Sequence, residues 1–209
     1  MNIKIIDKFL SNEDFEELSN ISLKKINLKE IKVYHNKISK NGLIEIAECI
    51  SNDLLKKLHK DYNDKALSIL KELYPAKLDL YEFSEFHIIE TGANYVFPIH
   101  DDTPDKLLSG VIYLKPENNK GTFFYDSKKG INKREVEWKQ NRAVFFSRKE
   151  RSTWHSYEGD KKNNRIALVY NLMTTNIKEV CKIEKSNFFI TNTRYKLNPY
   201  LYRFFRKTI

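Results

Sequence analysis

Two histidines and one aspartate stand in a spacing that could bind a metal ion. His100 and Asp102 form a His-x-Asp triplet, and His155 follows 55 residues after His100. Two neutral imidazoles and one carboxylate are the ligand set of the 2-His-1-carboxylate facial triad, which holds Fe(II) and leaves positions open for O₂ and a second ligand. The triplet alone is a weak signal, but strand-like and turn-like segments surround it. We therefore expect an iron site at these three residues.

A single arginine follows the second histidine at the start of an apolar run. Arg165 lies ten residues after His155 and opens the segment 165–172, RIALVYNL. A guanidinium can hold a carboxylate through two parallel N–H···O bonds. Metal ligands followed by such an arginine indicate oxidative chemistry that uses a small dicarboxylic acid. The alternative is that Arg165 pairs with a surface acid. Two-residue alternation places Asn171 on the same strand face, where it could touch a substrate.

Each metal-ligand assignment has an alternative. Asp101 competes with Asp102, but neighbours in an extended segment point to opposite faces, so only Asp102 shares a face with His100. His100 could instead cap a turn. His155 could be a strand histidine whose ring nitrogens are satisfied by hydrogen bonds within the protein.

Composition excludes several classes of protein. The chain has 209 residues and 24.9 kDa, with 41% hydrophobic and 13% aromatic residues, which indicates a folded domain. No apolar run approaches the ~20 residues that span a bilayer, and residues 1–8 lack the apolar stretch of a secretory signal. Cys49 and Cys181 are too few for a disulfide framework and fit no zinc-finger pattern. We expect one domain with extensions, in a reducing cytoplasm.

The hydrophobic pattern divides the chain into three zones. Residues 1–76 look helical. The segment 12–18 has a capping residue and early acids, and 43–50 and 54–73 carry apolar residues at three- and four-residue steps, before Pro75 stops the pattern. Residues 77–175 form the second zone, and residues 176–209 form a basic, aromatic C-terminal extension.

The second zone changes to short runs rich in Val, Ile, Phe and Tyr that turn-like segments separate. The runs are 83–90, 108–114, 121–125, 135–138, 143–147, 154–158 and 165–173. Several short strands at close spacing are typical of a sandwich or barrel of the jelly-roll kind. We predict a mainly β fold with flanking helices, its core lying at residues 77–175 and the helical N-terminal region packed on it.

The net charge of +9 is unevenly distributed. Residues 182–209 hold seven basic residues, one acid and seven Phe or Tyr residues, for a charge of +6. Such a segment can bind nucleic acid, lie on an anionic membrane surface, or dock its aromatics on the core while its lysines are solvated, which is the ordinary arrangement. The basic residues of 128–134 would suit an acidic or phosphorylated substrate, or serve only solubility.

The stretch 83–175 resembles the double-stranded β-helix core of the Fe(II)/2-oxoglutarate-dependent oxygenases, and in particular the branch that contains the prolyl 4-hydroxylases. In that family a His-x-Asp opens the second core strand. A distal histidine lies on the seventh strand, and a basic residue about ten positions later lies on the eighth. His100, Asp102, His155 and Arg165 stand at the matching places.

Three further positions bear on this resemblance. Tyr113 matches a tyrosine that often helps to hold the far carboxylate of 2-oxoglutarate, although a tyrosine on a buried strand is commonly a core residue. Gly92 matches a frequent turn glycine. Glu90 departs from the pattern, because relatives often carry a tyrosine just before that turn, and this bears on the co-substrate pocket.

The resemblance implies a hydroxylase that uses Fe(II), 2-oxoglutarate and O₂ and releases succinate and CO₂. His100, Asp102 and His155 would be its catalytic metal ligands, and Arg165 and Tyr113 would bind 2-oxoglutarate. The expected partner is a small-molecule or peptide substrate, an acidic one being an option; nucleic acid is not expected. Substrate selection in the superfamily lies in loops and extensions, so the fold does not identify the substrate.

Three other functions are weighed against this one. The first is a non-catalytic β-helix binding module, which the intact ligand set opposes. The second is a nucleic-acid demethylase of the same superfamily, whose members usually carry a second arginine shortly after the first; here none follows Arg165 until Arg194. The third is a zinc hydrolase with the same triad, which would leave Arg165 and Tyr113 without a purpose.

Overall fold

The architecture is that of a computed structural model, which describes residues 2–23, 27 and 29–205, without the side chains of residues 199, 202, 203 and 205. The described strands and helices follow one another as β1 (Ile3–Ile6), α1 (Asn12–Ser19), β2 (Ile31–Tyr34), β3 (Asn36–Ser39), β4 (Ile44–Ala47), α2 (Asn52–Leu73), a 3₁₀ helix (Pro75–Leu80), β5 (Phe83–Thr91), β6 (Val96–His100), β7 (Lys106–Lys115), β8 (Thr122–Tyr125), β9 (Arg134–Val136), β10 (Ala143–Phe146), β11 (Trp154–Glu158), β12 (Arg165–Met173), α3 (Ile177–Glu184) and α4 (Phe188–Phe205).

Two antiparallel sheets form the body of the protein. The larger sheet has the strand order β1-β10-β7-β12-β5-β3-β4, with β2 also pairing to β5, and the smaller sheet has the order β6-β11-β8-β9. The outer face of the larger sheet carries Phe86, Ile88 and Leu168, which share one buried cluster with helix α2. The inner face looks toward the smaller sheet. The predicted mainly β architecture with flanking helices is confirmed.

Helix α2 covers the larger sheet because its sequence provides both a start signal and an apolar stripe. The hydroxyl of Ser51 caps the helix by accepting a hydrogen bond from the Leu54 backbone N–H at 3.2 Å. Its buried residues recur at one-, three- and four-residue steps, as one face of a helix requires; they are Leu54, Leu55, Leu58, Tyr62, Ala66, Ile69 and Leu70. The helix ends at Leu73, just before Pro75, as the sequence predicts.

The N-terminal region differs from its helical prediction. Its described residues contribute two helices and also four strands, β1 to β4, all of which join the larger sheet. The segment 43–50, predicted as helical, contains strand β4 instead, which pairs with β3 across a turn where Gly42 has φ +80°. Alternation of Ile44 and Ile46 with polar residues fits a strand equally well, and pairing with β3 decides between the two. The boundaries at 76/77 and 175/176 stay predictions.

The C-terminal extension forms two helices, and its described aromatic side chains are half-buried or exposed. The hydroxyl of Tyr195 donates to Asp105 Oδ2 at 3.0 Å. Phe189, Tyr200 and Phe204 are exposed. Of the basic residues counted in this segment, Arg206 and Lys207 lie outside the described residues, as does the side chain of Arg203. Within the described chain, no helix combines the length and apolar character that crossing a bilayer requires.

Candidate active site

A cavity lies between the two sheets, with a volume of about 790 Å³ when its open mouth is included. Strands β5, β7 and β12 of the larger sheet line one side, and β6, β8 and β11 of the smaller sheet line the other. The three predicted metal ligands and Arg165 all line this one space. None of the basic residues of 128–134 lines it.

The two histidines face each other across neighbouring strands. His100 is the last residue of β6, and its register partner on β11 is His155. Asp102 lies two residues beyond the end of β6. One ligand atom from each of these three residues can be chosen so that all three lie within 4.8 Å of one another. The site thus assembles two imidazoles and one carboxylate, the donor set that suits Fe(II).

Hydrogen bonds fix both imidazoles in the orientation that a metal ligand needs. His100 Nδ1 donates to the carbonyl of Pro98 at 2.9 Å, and His155 Nδ1 donates to the carbonyl of Thr153 at 2.9 Å. A carbonyl can only accept, so the proton sits on Nδ1 and the lone pair of Nε2 remains for a metal. Burial, reinforced by the neighbouring His155, lowers the pKa of His100 to about 3, which keeps that ring neutral.

Two side chains hold the carboxylate of Asp102. Ser109 Oγ donates to Oδ2 at 2.6 Å, and Lys106 Nζ donates to Oδ1 at 2.8 Å. Burial alone would raise the pKa of Asp102, but Lys106 and the two imidazoles outweigh it and keep the pKa well below its usual range. The neighbouring Asp101 is engaged elsewhere, because its carboxylate accepts from the Arg151 backbone N–H at 2.9 Å and pairs with Arg194.

A buried ion cluster supports the loop that carries Asp102. Arg148 Nε donates to the backbone carbonyl of Asp102 at 3.1 Å. The carboxylate of Glu184, on helix α3, binds both Arg148 and Lys77, the latter at 2.6 Å. The side chains of Lys77 and Glu184 are 0% exposed and that of Arg148 is 2% exposed. The metal-ligand loop is therefore tied to the C-terminal helices through charged groups that water does not reach.

Arg165 is a buried cation in an aromatic setting. It is the first residue of β12 and only 6% exposed. Its guanidinium carbon lies 3.9 Å from the ring centre of Tyr157 and 5.4 Å from those of Tyr113 and Trp138. No carboxylate among the described residues lies within ion-pair distance of it, and its Nε has no hydrogen-bond partner there. The hydroxyl of Thr91, its register partner on β5, is also buried without a partner.

Unpaired polar groups at this end of the cavity form a candidate anion site. A buried guanidinium without a counter-ion is unfavourable unless a ligand supplies the negative charge. Arg165 and the Thr91 hydroxyl together offer donors to a carboxylate. Thr91 was not singled out from the sequence, although its two-residue alternation with Ile89 on β5 places it on the cavity face.

Tyr113 and Glu90 lie next to this site without lining the cavity. The Tyr113 hydroxyl accepts from the Thr122 backbone N–H at 2.8 Å and donates to Thr122 Oγ1 at 3.0 Å. Its ring, not its hydroxyl, faces Arg165, so a direct contact with a co-substrate stays a prediction. Glu90 is buried and accepts from Asn164 Nδ2 at 3.3 Å. Glu90 precedes the cavity-facing Thr91 on β5, so its side chain points to the opposite face of the strand. The residue that departs from the resemblance therefore does not enter the pocket.

The sequence gives little or no signal for several other cavity residues, with Asn171 as the exception. Lys106 and Ser109, the two groups that hold Asp102, carry no motif; the only signal is the four-residue step from Asp102 to Lys106. Tyr95 and Tyr157 line the cavity from the turn after β5 and from β11. Asn171, which the alternation along β12 placed on the face of Arg165, does line the cavity.

Three solved structures that match this fold are named as oxygenases or prolyl hydroxylases. A 2OG-Fe(II) oxygenase family oxidoreductase from Burkholderia pseudomallei matches at a TM-score of 0.58 and 13% identity, over 82% of this chain and 85% of that one. A Trichoplax adhaerens prolyl hydroxylase, in complex with a hypoxia inducible factor oxygen degradation domain peptide fragment, matches at 0.55 and 15%, over 86% of each chain. A Pseudomonas putida prolyl-4-hydroxylase matches at 0.51 and 14%, over 83% and 93%.

These likenesses concern the fold, and they confirm the double-stranded β-helix predicted for the core. No protein-family model matches the chain, and no curated protein matches it in sequence. The class that fold and site together define is a double-stranded β-helix protein with a 2-His-1-carboxylate cluster and a separate candidate anion site in one cavity.

Proposed function

We propose that this protein is a non-haem Fe(II)- and 2-oxoglutarate-dependent dioxygenase that hydroxylates a small-molecule or peptide substrate. One observation carries the proposal. The cavity that holds His100, Asp102 and His155 within 4.8 Å of one another also holds Arg165, a buried cation with no acidic partner among the described residues. A metal site and an unpaired guanidinium in one enclosed space fit a ligand that reaches both, such as a keto-diacid.

The donor set fits Fe(II), and His100, Asp102 and His155 would hold it. When bound, the iron supplies the redox chemistry by which O₂ converts 2-oxoglutarate to succinate and CO₂ and hydroxylates the substrate. Pro98 and Thr153 orient the two imidazoles through their carbonyls. Such outer hydrogen bonds set which ring nitrogen faces the metal.

Arg165 would bind the far carboxylate of 2-oxoglutarate, and the hydroxyl of Thr91 would add a second donor. The rings of Tyr157, Tyr113 and Trp138 surround the guanidinium and exclude water from it. Ion pairs strengthen where water is absent, so this packing favours tight binding of a dianion. The direct contact from Tyr113 that the resemblance implies is part of this proposal.

The site lends no support to the alternative functions. A zinc hydrolase would need no anion site beside its metal ligands, and a non-catalytic module would need no intact ligand set. A peptide bound by the Trichoplax adhaerens prolyl hydroxylase supports a peptide as one of the two substrate classes.

The test is optical and precedes any knowledge of the substrate. Fe(II) and 2-oxoglutarate added to the protein without O₂ should give a visible charge-transfer band, and the Asp102→Ala variant should not give it. Asp101→Asn is the matched control, because this neighbouring carboxylate binds Arg151 and Arg194 and not the cluster. A folded wild-type protein without the band would reject the oxygenase proposal, and a band that survives in Asp102→Ala would remove that residue from the ligand set.

A further inference from the structure

The end of the cavity farthest from Arg165 is formed by Asn171 and its neighbours. Asn171 follows Arg165 by six residues on β12, on the same face, which is about 20 Å along a strand. Its register partners are Glu85 on β5 and Ser109 on β7. Ser109 in turn donates to the metal-ligand carboxylate of Asp102. This end therefore adjoins the metal-ligand cluster on the side away from the anion site.

Asn171 has an acceptor that nothing in the described chain satisfies. The residue is 1% exposed, lines the cavity, and its Oδ1 has no hydrogen-bond partner there. Its Nδ2 donates to Glu85 Oε2 at 3.4 Å. Buried amide oxygens are nearly always paired in folded proteins. An unpaired one that faces a cavity indicates a ligand that donates a hydrogen bond to it.

Glu85 is a carboxylate without a cationic partner. Its side chain is 18% exposed, and within the part of the chain that the structure describes no lysine or arginine lies within ion-pair distance. The nearest basic group is His87 Nε2, at 3.7 Å. Burial, with His35 and Lys106 nearby, lowers the pKa of His87 to about 3, so this ring is neutral and does not balance the carboxylate.

Glu85 and Asp105 lie beside this end of the cavity without lining it, and both are acidic neighbours of Lys106, the one lysine among the described residues that does line it. Both lysines of the region already have an acidic partner. Lys106 binds Asp102 at 2.8 Å. Lys37, the register partner of Glu85 on β3, binds Glu45 at 2.7 Å. Asp105 adds a further carboxylate, whose Oδ1 is buried without a partner. Burial raises the pKa of the Glu85 carboxyl; Lys106 opposes that shift and Asp105 adds to it. A cation placed beside Glu85 would relieve both its burial and this repulsion.

We propose that Asn171 and Glu85 form a substrate subsite that binds a protonated amine or a guanidinium. The cationic N–H groups donate to Asn171 Oδ1 and to the Glu85 carboxylate, and such charge-assisted bonds are the strong kind. Val169 and Val111, which line the cavity beside them, contact the alkyl part of the substrate. That the occupant is a substrate rests on the proposed function. The acidic substrate expected from residues 128–134 concerns a loop that does not line the cavity.

The test uses three probes of matched size on the full chain: n-butylammonium, n-butylguanidinium and n-butanol. NMR titration of the metal-free protein should give a dissociation constant for each cation at least about tenfold below that of the alcohol. Glu85→Gln and Asn171→Leu should weaken the cations by about tenfold or more and leave the alcohol unchanged. Glu90→Gln is the matched control, since this buried glutamate of the same strand faces away from the cavity.

A variant that should bind the cation more tightly than the wild type gives a second, independent test of the subsite. Asn171→Asp keeps the shape of the side chain and adds a negative charge, so it should bind n-butylguanidinium more tightly than the wild type. Equal binding of cation and alcohol by the wild type, or no gain in Asn171→Asp, would overturn the subsite. The anaerobic charge-transfer band separates the two proposals: cation binding without the band overturns only the oxygenase, and the band without cation binding overturns only the subsite.

Discussion

Replacing Arg165 by glutamine should separate ligand affinity from protein stability. In the wild type, Arg165 is 6% exposed, and its guanidinium has aromatic rings around it but no acid from the described part of the chain. If it binds the far carboxylate of 2-oxoglutarate, the variant leaves that carboxylate buried and unpaired. Truncating one partner of such a charge pair costs about 2–4 kcal/mol, hence roughly 30-fold to 1000-fold in the dissociation constant.

The same substitution should change the stability of the ligand-free protein far less than it changes the affinity for 2-oxoglutarate. Glutamine loses cation–π contacts of about 0.5–2 kcal/mol, but it also removes a buried charge that no counter-ion balances, which is itself destabilising. These effects oppose each other, so the free energy of unfolding should change by no more than about 1 kcal/mol. A structural arginine in an internal ion pair would show the reverse, with a large loss of stability.

Two measurements on the same samples test this prediction. Titration of the anaerobic charge-transfer band gives the affinity for 2-oxoglutarate, and urea unfolding without ligand gives the stability. At one hundred times its dissociation constant, 2-oxoglutarate should stabilise the wild type by about 2.7 kcal/mol and the variant by much less. Arg134→Gln is the control, because that side chain is 57% exposed and lies outside the cavity.

Binding of 2-oxoglutarate by Arg165→Gln within threefold of the wild type would refute this role of Arg165. A loss of several kcal/mol in the stability of the ligand-free variant would refute it too, since the guanidinium would then serve the fold. Arg165→Lys refines the test. It keeps the charge but not the two-pronged geometry, and it should lose about tenfold in affinity.

Two further predictions concern buried charges. Glu184→Gln removes the one carboxylate that both Lys77 and Arg148 share in the buried cluster, and should lower the free energy of unfolding by about 3–5 kcal/mol in urea; Glu179→Gln, an exposed pair on the same helix, should change it by less than about 1 kcal/mol. His87 has a folded pKa of about 3, below the ordinary 6.5. The unfolded chain therefore takes up the proton first, and stability that is complete above pH 6.5 is lost as the pH falls toward 3. The wild type should lose about 1 kcal/mol more per pH unit than His87→Gln between pH 6 and 4.

Either of these outcomes can be contradicted directly. Equal urea midpoints for the Glu184→Gln and Glu179→Gln variants would mean that the buried cluster contributes nothing to stability. Parallel pH profiles for the wild type and His87→Gln would mean that the ring is charged in the folded state, and Glu85 would then have a cationic neighbour.

Sequence patterns that act over a few neighbouring residues predicted much of the site. Alternation along an extended segment favoured Asp102 over Asp101, and the structure places Asp102 in the cluster and Asp101 outside it. The same alternation placed Asn171 on the face of Arg165. Strand runs and the end of α2 before Pro75 are likewise local properties, because side-chain direction and proline chemistry act over a few residues.

Pairings between distant residues were decided by the tertiary structure alone. The segment 43–50 fits a helix or a strand by its own pattern, and only pairing with β3 selects the strand. Glu184 lies 107 residues from Lys77, and Asn171 lies 86 residues from Glu85. Hydrogen bonding and ion pairing depend on distance in space, and no periodicity in the sequence records which distant strands become neighbours. The sequence alone thus identified the three residues that cluster in the cavity and the β-rich core, whereas the positions beside Arg165 and Asn171 that no described residue fills exist only in the folded chain.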